Sequence, residues 1–481
     1  MSIDQETLHR KIHSEFKEER IEVAVLIAQN YNSLPDKAQA WADLRYLISD
    51  IDAKVRIKAI ESMEKLLQHF DNKEELWKYI EELTLDKDHS VRLKAIESLG
   101  LLLIYLPKNE SKWNKIYNRV FESDELQGAL VLNNLALLYE NMGKYEKALS
   151  LYTRSLEIRE KVLGPKHPDI ATTLNSLAGL YSRMGEYEKA LPLYTRAFEI
   201  SEKVLGPEHP DVAATLNNLA GLYNSMGEYE KALPLYTRAF EISEKTLGSE
   251  HPDVATTLNN LAGLYNSMGE YEKALPLYTR ALVIKEKMLG PEHPDVATTL
   301  NNLAGLYSRM GEYEKALPLY TRSLVIKEKM LGPEHPSVAS TLNNLALLYN
   351  DMGEYEKALS LYTRALEIRE KVLGSEHPDV ATTLNNLALL YESMGEYEKA
   401  LSLYTRALEI SEKVLGLRHP SVAYFLNNLA AFYERIGKYE ESIQLLKRSL
   451  DIFESKLGQH HPNSTIVRNN IQTIFKKMHT N

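Results

Sequence analysis

The sequence predicts an all-α fold, a right-handed solenoid of stacked helix pairs. Three observations support this prediction. The string Leu-Asn-Asn-Leu-Ala begins at Leu132 and recurs at steps of 42 residues or multiples of 42. Three tryptophans in the N-terminal part are spaced 36 residues apart. The apolar residues of each repeat follow the period of an α-helix, and such a repeat buries its apolar face only against its neighbours.

Composition and charge narrow the class of partner. The chain has 481 residues, of which 44% are hydrophobic and 26% charged, and its formal net charge is -10. The acidic excess is shared between residues 1–128 and the rest of the chain, so we expect no basic surface that could follow a phosphate backbone. The sequence therefore favours a protein or peptide partner and no nucleic acid.

The sequence also narrows the expected compartment. Cysteine is absent, which excludes disulfides, thiolate metal ligands and cysteine nucleophiles. The N-terminus is charged from Asp4 onward and lacks the apolar segment of a signal peptide. No run of apolar residues approaches the roughly 18 that a membrane helix needs. We expect a cytoplasmic protein without membrane contact, with a monomer favoured and the oligomeric state open.

The N-terminal part carries a 36-residue period. Residues 1–36 are predicted to form one or two capping helices, and residues 37–128 contain Trp41, Trp77 and Trp113 at steps of 36. The string Val-Arg-x-Lys-Ala-Ile-Glu-Ser occurs at 55–62 and again at 91–98. Val-Arg-x-x-Ala preceded by aspartates, between amphipathic helices, resembles a HEAT repeat. This resemblance implies that each arginine pairs with an aspartate of a neighbouring unit.

The third 36-residue unit lacks Val-Arg, although Glu122 and Asp124 keep its acidic positions. Its second helix would coincide with the start of the next array near Gly128. We therefore expect the two arrays to join without a flexible linker.

Residues 129–467 are predicted to form eight 42-residue repeats, each a pair of helices. In the repeat 253–294 the first helix carries an apolar stripe of Val254, Leu258, Leu261, Ala262 and Tyr265. The second helix carries a stripe of Ala274, Leu277, Tyr278, Ala281 and Met288. Gly269 lies between the helices in a position typical of a left-handed turn residue, and Gly290 with Pro291 ends the second helix.

A His-Pro loop precedes the first helix of each following repeat. The residue after this proline always has a short polar side chain, which favours it as the helix N-cap. The predicted N-caps are Asp169, Asp211, Asp253, Asp295, Ser337, Asp379, Ser421 and Asn463.

The pattern Leu258-x2-Leu261-Ala262-x2-Tyr265, followed by Ala274-x3-Tyr278, resembles the tetratricopeptide signature. The 42-residue length, and the run 365–374 that leads into a His-Pro-Asp-Val-Ala loop, are similar to the repeats of kinesin light chains. The resemblance implies an α-solenoid with a cargo-type groove.

The chain is predicted to end in a C-terminal capping helix, residues 468–481. Arg468, Gln472 and Phe475 stand there in place of a leucine, an alanine and a tyrosine of the repeat. A more polar outer face of this kind is typical of a terminal repeat, which has no further neighbour.

The helical wheel of one repeat places Asn260 opposite the core stripe, on the face that lines the concave groove of tetratricopeptide arrays. An amide both donates and accepts hydrogen bonds, so a column of asparagines could hold a peptide backbone. The resemblance to kinesin light chains implies the same role. The alternative is that these amides bond only to adjacent helices. The predicted column comprises Asn134, Asn218, Asn260, Asn302, Asn344, Asn386 and Asn428.

Three arginines recur on the same face at every third repeat: Arg183, Arg309 and Arg435. Their guanidinium groups could bind acidic side chains of a ligand through paired hydrogen bonds. The alternative is that they are solvated surface charges.

No cofactor, metal or catalysis is expected. The loop histidines occur once per repeat and are too far apart to share an ion, and no nucleotide-binding or hydrolase motif occurs. The sequence thus predicts a non-enzymatic scaffold that binds a partner peptide segment in the concave groove. The alternative is a regulatory or sensor subunit whose HEAT-like end docks on an NTPase or effector protein.

Overall fold

The computed structural model describes residues 4–66, 73–84, 86–102 and 126–480. The chain divides into an N-terminal unit, Met1–Asn141 with Glu146–Pro165, and a C-terminal unit, Met142–Tyr145 with Lys166–Asn481. Within the described residues every regular element is a helix. Each unit is a succession of helix pairs, which confirms the predicted all-α solenoid fold class.

The helices of the N-terminal unit repeat every 36 residues, since α2, α4 and α6 begin at residues 17, 53 and 89. The elements are α1 (Gln5–Lys11), α2 (Lys17–Asn30), a 3-10 turn (Tyr31–Ser33), α3 (Lys37–Leu47), α4 (Ala53–Lys65), α5 (Lys73–Leu83), α6 (His89–Leu102), α7 (Leu126–Asn141) and α8 (Tyr145–Leu163).

Buried ion pairs link successive helix pairs of this unit. Arg56 Nη2 lies 2.7 Å from Asp86 Oδ1, thirty residues further along the chain. Arg20 Nε lies 2.7 Å from Asp50 Oδ2, at the same separation in sequence. This is the pairing that the resemblance to HEAT repeats implied. It also brings residues 1–36 into the 36-residue period, because Arg20 occupies the position of Arg56.

Part of the predicted N-terminal array lies outside the described residues. This applies to Trp113, Glu122 and Asp124, whereas Gly128 lies inside α7.

The C-terminal unit alternates helices of 16 and 19 residues up to its last helix. They are α9 (Pro168–Arg183), α10 (Tyr187–Leu205), α11 (Pro210–Ser225), α12 (Tyr229–Leu247), α13 (Pro252–Ser267), α14 (Tyr271–Leu289), α15 (Pro294–Arg309), α16 (Tyr313–Leu331), α17 (Pro336–Asp351), α18 (Tyr355–Leu373), α19 (Pro378–Ser393), α20 (Tyr397–Leu415), α21 (Pro420–Arg435), α22 (Tyr439–Leu457) and α23 (Pro462–Thr480). We number the repeats so that α7 and α8 form repeat 1, and α21 and α22 form repeat 8.

The prediction of the helix N-caps was wrong. Helix α11 begins at Pro210, and the residue before it, His209, is the cap, because its Nδ1 accepts a hydrogen bond of 3.2 Å from the N–H of Asp211. Proline has no N–H and its φ suits the first helical position, so the first N–H that needs a partner is that of the next residue. The predicted caps, Asp211 and its equivalents, therefore lie inside the first turn.

The turns within the repeats agree with prediction. Gly185 has φ +68° after α9, and Glu186 N–H donates to the Tyr181 carbonyl at 2.8 Å, which closes the helix end with a six-residue turn. Pro192 lies inside α10, which continues without interruption from Tyr187 to Leu205.

Helix α23 stands in the position of a first helix after repeat 8. The expected boundary between residues 467 and 468 lies inside this helix. Val467 and Ile474 are buried against repeat 8, whereas Phe475 is partly exposed.

Candidate binding groove

The first helices of the C-terminal unit form its inner layer. Consecutive first helices contact each other from α9 to α19 more extensively than consecutive second helices do. Because the inner side of a curved stack is the shorter side, these helices line the concave surface. We call α9, α11, α13, α15, α17, α19 and α21 the inner helices, and the helices that follow each of them the outer helices.

The faces of the inner helices agree with the helical wheel. In α13, Leu258 and Ala262 are buried in the stack. Thr256 and Ser267 are exposed, and Asn260 is half-buried. Polar side chains thus lie on the exposed face of α13.

The second asparagine of each Asn-Asn pair forms a column of hydrogen bonds between repeats. Asn302 Nδ2 donates to Asn259 Oδ1 at 3.2 Å, and Asn428 Nδ2 donates to Asn385 Oδ1 at 3.1 Å. The same bond links Asn344 to Asn301 and Asn386 to Asn343. The NH2 groups of these four amides therefore bond to adjacent helices, as the alternative interpretation stated.

The remaining members of the predicted column differ. Asn260 is half-buried and Asn218 is exposed. Asn134 is half-buried in α7 of the N-terminal unit. Asn218, Asn260 and the carbonyl groups of the four bonded amides therefore lie on inner helices of the C-terminal unit, whereas Asn134 does not.

The first asparagine of the pair has another partner in repeats 2 and 3. Asn175 Nδ2 donates to Thr215 Oγ1 at 3.2 Å, and Asn217 Nδ2 donates to Thr257 Oγ1 at 2.9 Å. Within the described residues, Asn175 Oδ1 and Asn217 Oδ1 are buried without a hydrogen-bond partner. These two amides therefore carry spare acceptors next to the groove.

The three groove arginines are exposed and are not brought together, because they end inner helices that lie three repeats apart. Arg435 Nε lies 2.8 Å from Glu392 Oε1, and the buried Glu392 also accepts a hydrogen bond of 2.8 Å from the Tyr404 hydroxyl. Arg309 forms no ion pair with a carboxylate of the described residues. Arg309 thus remains available to an acidic ligand, whereas Arg435 already has an internal carboxylate.

Sequence reasoning missed one position that the outer helices share with α8. It varies between cationic, small and aromatic residues in otherwise similar repeats: Arg159, Ser201, Ser243, Lys285, Lys327, Arg369, Ser411 and Phe453. This variation was the available signal, but helical periodicity assigns the position only to the buried side of its helix.

Lys327 and Arg369 send their charged groups between the inner helices. Lys327 is 6% exposed, and its Nζ donates to Thr341 Oγ1 at 2.9 Å. Burial lowers the pKa of Lys327 to about 8. Arg369 Nη1 donates to Thr383 Oγ1 at 2.6 Å and to the Asp379 carbonyl at 2.9 Å. A threonine of the next repeat therefore accepts a hydrogen bond from both of these cations.

A long-range contact joins repeats 2 and 7–8. His419 Nε2 lies 2.9 Å from the Arg183 carbonyl, and its Nδ1 accepts from the Ser421 N–H at 3.0 Å. Lys456 Nζ donates to Glu186 Oε1 at 3.0 Å nearby. Burial lowers the pKa of His419. The histidine is thus held neutral, with its proton on Nε2.

Comparison with known proteins decides the family. A model described as "Tetratricopeptide repeat" matches residues 129–203, 169–245, 211–287, 253–329 and 337–413. Two further models with that description match residues 422–463 and 301–371. The matches cover more than half of the chain. The chain belongs to the tetratricopeptide-repeat family.

Solved structures of similar repeat proteins include BtubC (BKLC) from P. vanneervenii, 28% identical over 48% of this chain and 92% of that one, with a TM-score of 0.41. A Podosopora anserina putative kinesin light chain with nearly identical TPR-like repeats is 30% identical over 43% and 98%, with a TM-score of 0.37. A Rap protein complexed with competence and sporulation factor shares the fold, at 16% identity over 76% and 99%, with a TM-score of 0.52. No curated protein matches the chain.

Membership of the tetratricopeptide-repeat family makes this protein a protein-interaction scaffold in general terms. Proteins of this family are generally non-enzymatic. No three His, Asp or Glu side chains cluster as a metal site within the described residues. In the same part of the chain, no helix combines the length and apolar character needed to cross a bilayer.

Proposed function

We propose that this tetratricopeptide-repeat protein is a non-enzymatic adaptor whose concave groove binds a segment of a partner protein. One observation carries the proposal. The inner helices present a mainly polar face, in which Thr256, Asn260 and Ser267 stand opposite the buried stripe and have polar equivalents in most repeats. A polar surface on the concave side of a rigid array suits a backbone with its own unsatisfied donors and acceptors.

The asparagine column contributes acceptors more than donors to this groove. The Nδ2 groups of Asn302, Asn344, Asn386 and Asn428 bond to the preceding repeat. Their carbonyl oxygens can then receive N–H groups of a partner backbone. Arg183 and Arg309 are exposed on the same face, where they would bind acidic side chains of that segment.

The test places bulk in the groove without disturbing the stack. Thr256→Tyr with Thr298→Tyr adds rings at exposed inner positions, and Glu272→Tyr with Glu314→Tyr adds the same rings at exposed outer positions. Partners captured from native lysate by wild-type protein are purified, and their Kd is measured with both variants. We expect at least about a tenfold loss for the inner variant only. Equal binding by both variants would remove the groove from the proposal.

A second candidate is the regulatory subunit that docks on an NTPase or effector through its N-terminal unit. Phe16 is 67% exposed and Ile51 is 84% exposed, in the loops before α2 and α4. Large apolar side chains at such exposure favour a protein contact. A partner lost with Phe16→Ser and Ile51→Ser, yet kept by the inner Tyr variant, would support this role.

We also propose a cytoplasmic location and a monomer.

A further inference from the structure

A cavity opens beside the groove at the outer-helix position of Ser201. Where this position holds Lys327 or Arg369, the long side chain runs between two inner helices and its charged group bonds to Thr341 or Thr383. Ser201 is too short to do so. The space that its repeat leaves is a cavity of about 370 Å³ between α9, α10 and α11.

The cavity is lined mainly by hydrogen-bonding side chains: Thr172, Asn175, Ser201, Asp211, Thr215 and Asn218. Thr172 and Asn218 are exposed on the inner face, so the cavity opens to the groove. It is therefore reachable from outside the array.

The acceptors that bind the internal cation elsewhere are present here too. Thr215 is the equivalent of Thr383, and its hydroxyl donates to the Asp211 carbonyl at 3.0 Å, as Thr383 does to Asp379 at 3.1 Å. Asn175 Oδ1 is buried and has no hydrogen-bond partner among the described residues. The Asp211 carboxylate adds a negative charge at the edge. The site thus offers acceptors and a negative charge, but the cation of the equivalent sites is replaced by Ser201.

Repeats 3 and 7 also have a serine at the position of Ser201. Ser243 lies opposite Thr257, which accepts from Asn217 in the same way as Thr215 accepts from Asn175. Ser411 lies opposite Phe425, a buried ring that stands in place of the threonine. The same acceptors therefore recur in repeat 3, whereas repeat 7 lacks the threonine.

We propose that the cavity at Ser201 binds the guanidinium or ammonium group of a basic side chain of the partner. The guest occupies from the groove side the space that Arg369 fills from the outer helix in repeat 6. Its N–H groups donate to Asn175 Oδ1 and Thr215 Oγ1, beside the Asp211 carboxylate. This inference rests on the proposed groove function and adds the class of side chain that repeats 2 and 3 select.

The test uses n-propylguanidinium as a probe, with propionate as a probe of similar size and opposite charge. Saturation-transfer NMR on the full chain is expected to show saturable binding of the cation and none of the anion. Ser201→Arg with Ser243→Arg supplies an internal cation at both sites and is expected to weaken probe binding at least about tenfold. Ser201→Ala with Ser243→Ala, the matched control, keeps the space and the acceptors and is expected to bind as wild type.

A variant with the opposite change tests the inference even if the double arginine variant does not fold. Arg369→Ser opens the equivalent space in repeat 6, and n-propylguanidinium is expected to raise its Tm more than that of wild type. Binding of propionate, unchanged cation binding in the double Arg variant, or no saturable cation binding to wild type would each overturn the inference. Because the probe needs no partner, these results are independent of the partner-capture test of the groove.

Discussion

At the scale of single residues, the buried cations of the outer helices carry an electrostatic cost, because burial lowers the pKa of Lys285, Lys327 and Arg369. The ammonium group of Lys327 has a threonine hydroxyl as its partner. Asp295 lies near the equivalent Lys285, but the residue at that position beside Lys327 is the uncharged Ser337. Moving an ammonium group from water into a buried site without a counter-charge costs free energy. The Lys327 side chain stabilises the protein by filling the space between α15, α16 and α17.

Replacing Lys327 with Met is expected to keep this filling and remove the cost. The folded pKa of Lys327 is lowered to about 8 from 10.5, so the unfolded chain holds more protons between these values. Wild-type stability should rise with pH across that window, by up to about 3 kcal/mol. We expect Lys327→Met to be at least as stable as wild type near neutral pH and to lack this rise.

The measurement is urea unfolding of both proteins at about pH 7 and about pH 9.5. A rise of equal size in both proteins would show that other groups cause it, and would contradict the assignment to Lys327.

At the scale of the helix, the His-Pro loop determines where each inner helix begins. The imidazole of His251 accepts from the Asp253 N–H at 3.2 Å, and Pro252 provides the first helical residue. The aspartate lies in the first turn, where its charge interacts favourably with the helix dipole. The two side chains thus stabilise the same helix end by different means.

Substitution by alanine separates these contributions. His251→Ala removes the cap hydrogen bond and is expected to cost about 1 kcal/mol. Asp253→Ala removes only the dipole interaction and is expected to cost about half as much or less. Thermal unfolding of the two variants provides the comparison, with Ser337→Ala at the equivalent position as a control without charge. If Asp253→Ala lost more stability than His251→Ala, the aspartate and not the histidine would be the cap.

At the scale of the whole C-terminal unit, the array makes a contact across more than two hundred residues. His419 lies against the Arg183 carbonyl, and Lys456 pairs with Glu186. Both nitrogens of the imidazole are used, one as donor and one as acceptor. Protonation of Nδ1 would place a second N–H against the Ser421 N–H, which explains why a neutral ring suits this contact.

Acid is therefore expected to weaken the array. Burial lowers the folded pKa of His419 below its usual 6.5, so the unfolded chain binds more protons as the pH falls through that value. Stability is lost in that direction. His419→Asn keeps a cap acceptor that does not titrate, and we expect it to lose less Tm than wild type between about pH 7.5 and about pH 5.5. His293→Asn, the matched control in the cap of α15, should follow wild type.

The accuracy of prediction differed between fold and groove for a physical reason. Apolar spacing, Gly269 and Gly290 with Pro291 act within one or two turns of chain, so the helix pairs and their turns could be read from the sequence. The predicted cap was wrong because the imidazole of His251, and not the Asp253 side chain, accepts the first free N–H of the helix. The exposed face of α13 was predicted correctly, yet the partners of Asn302 and Asn175 were not, since these lie about forty residues away.

The sequence by itself determined the helical repeat, its length and its family, because these depend on local periodicity and on residues that end helices. Only the tertiary structure decided which amides bond to a neighbouring repeat, which cations are buried and where a cavity opens. Lys327 meets Thr341, and Ser201 faces Thr215 across an open space, only when helices of adjacent repeats pack together. Where a long cationic side chain takes the place of that serine, as at Lys327 and Arg369, its charged group lies between the inner helices and bonds to the equivalent threonine.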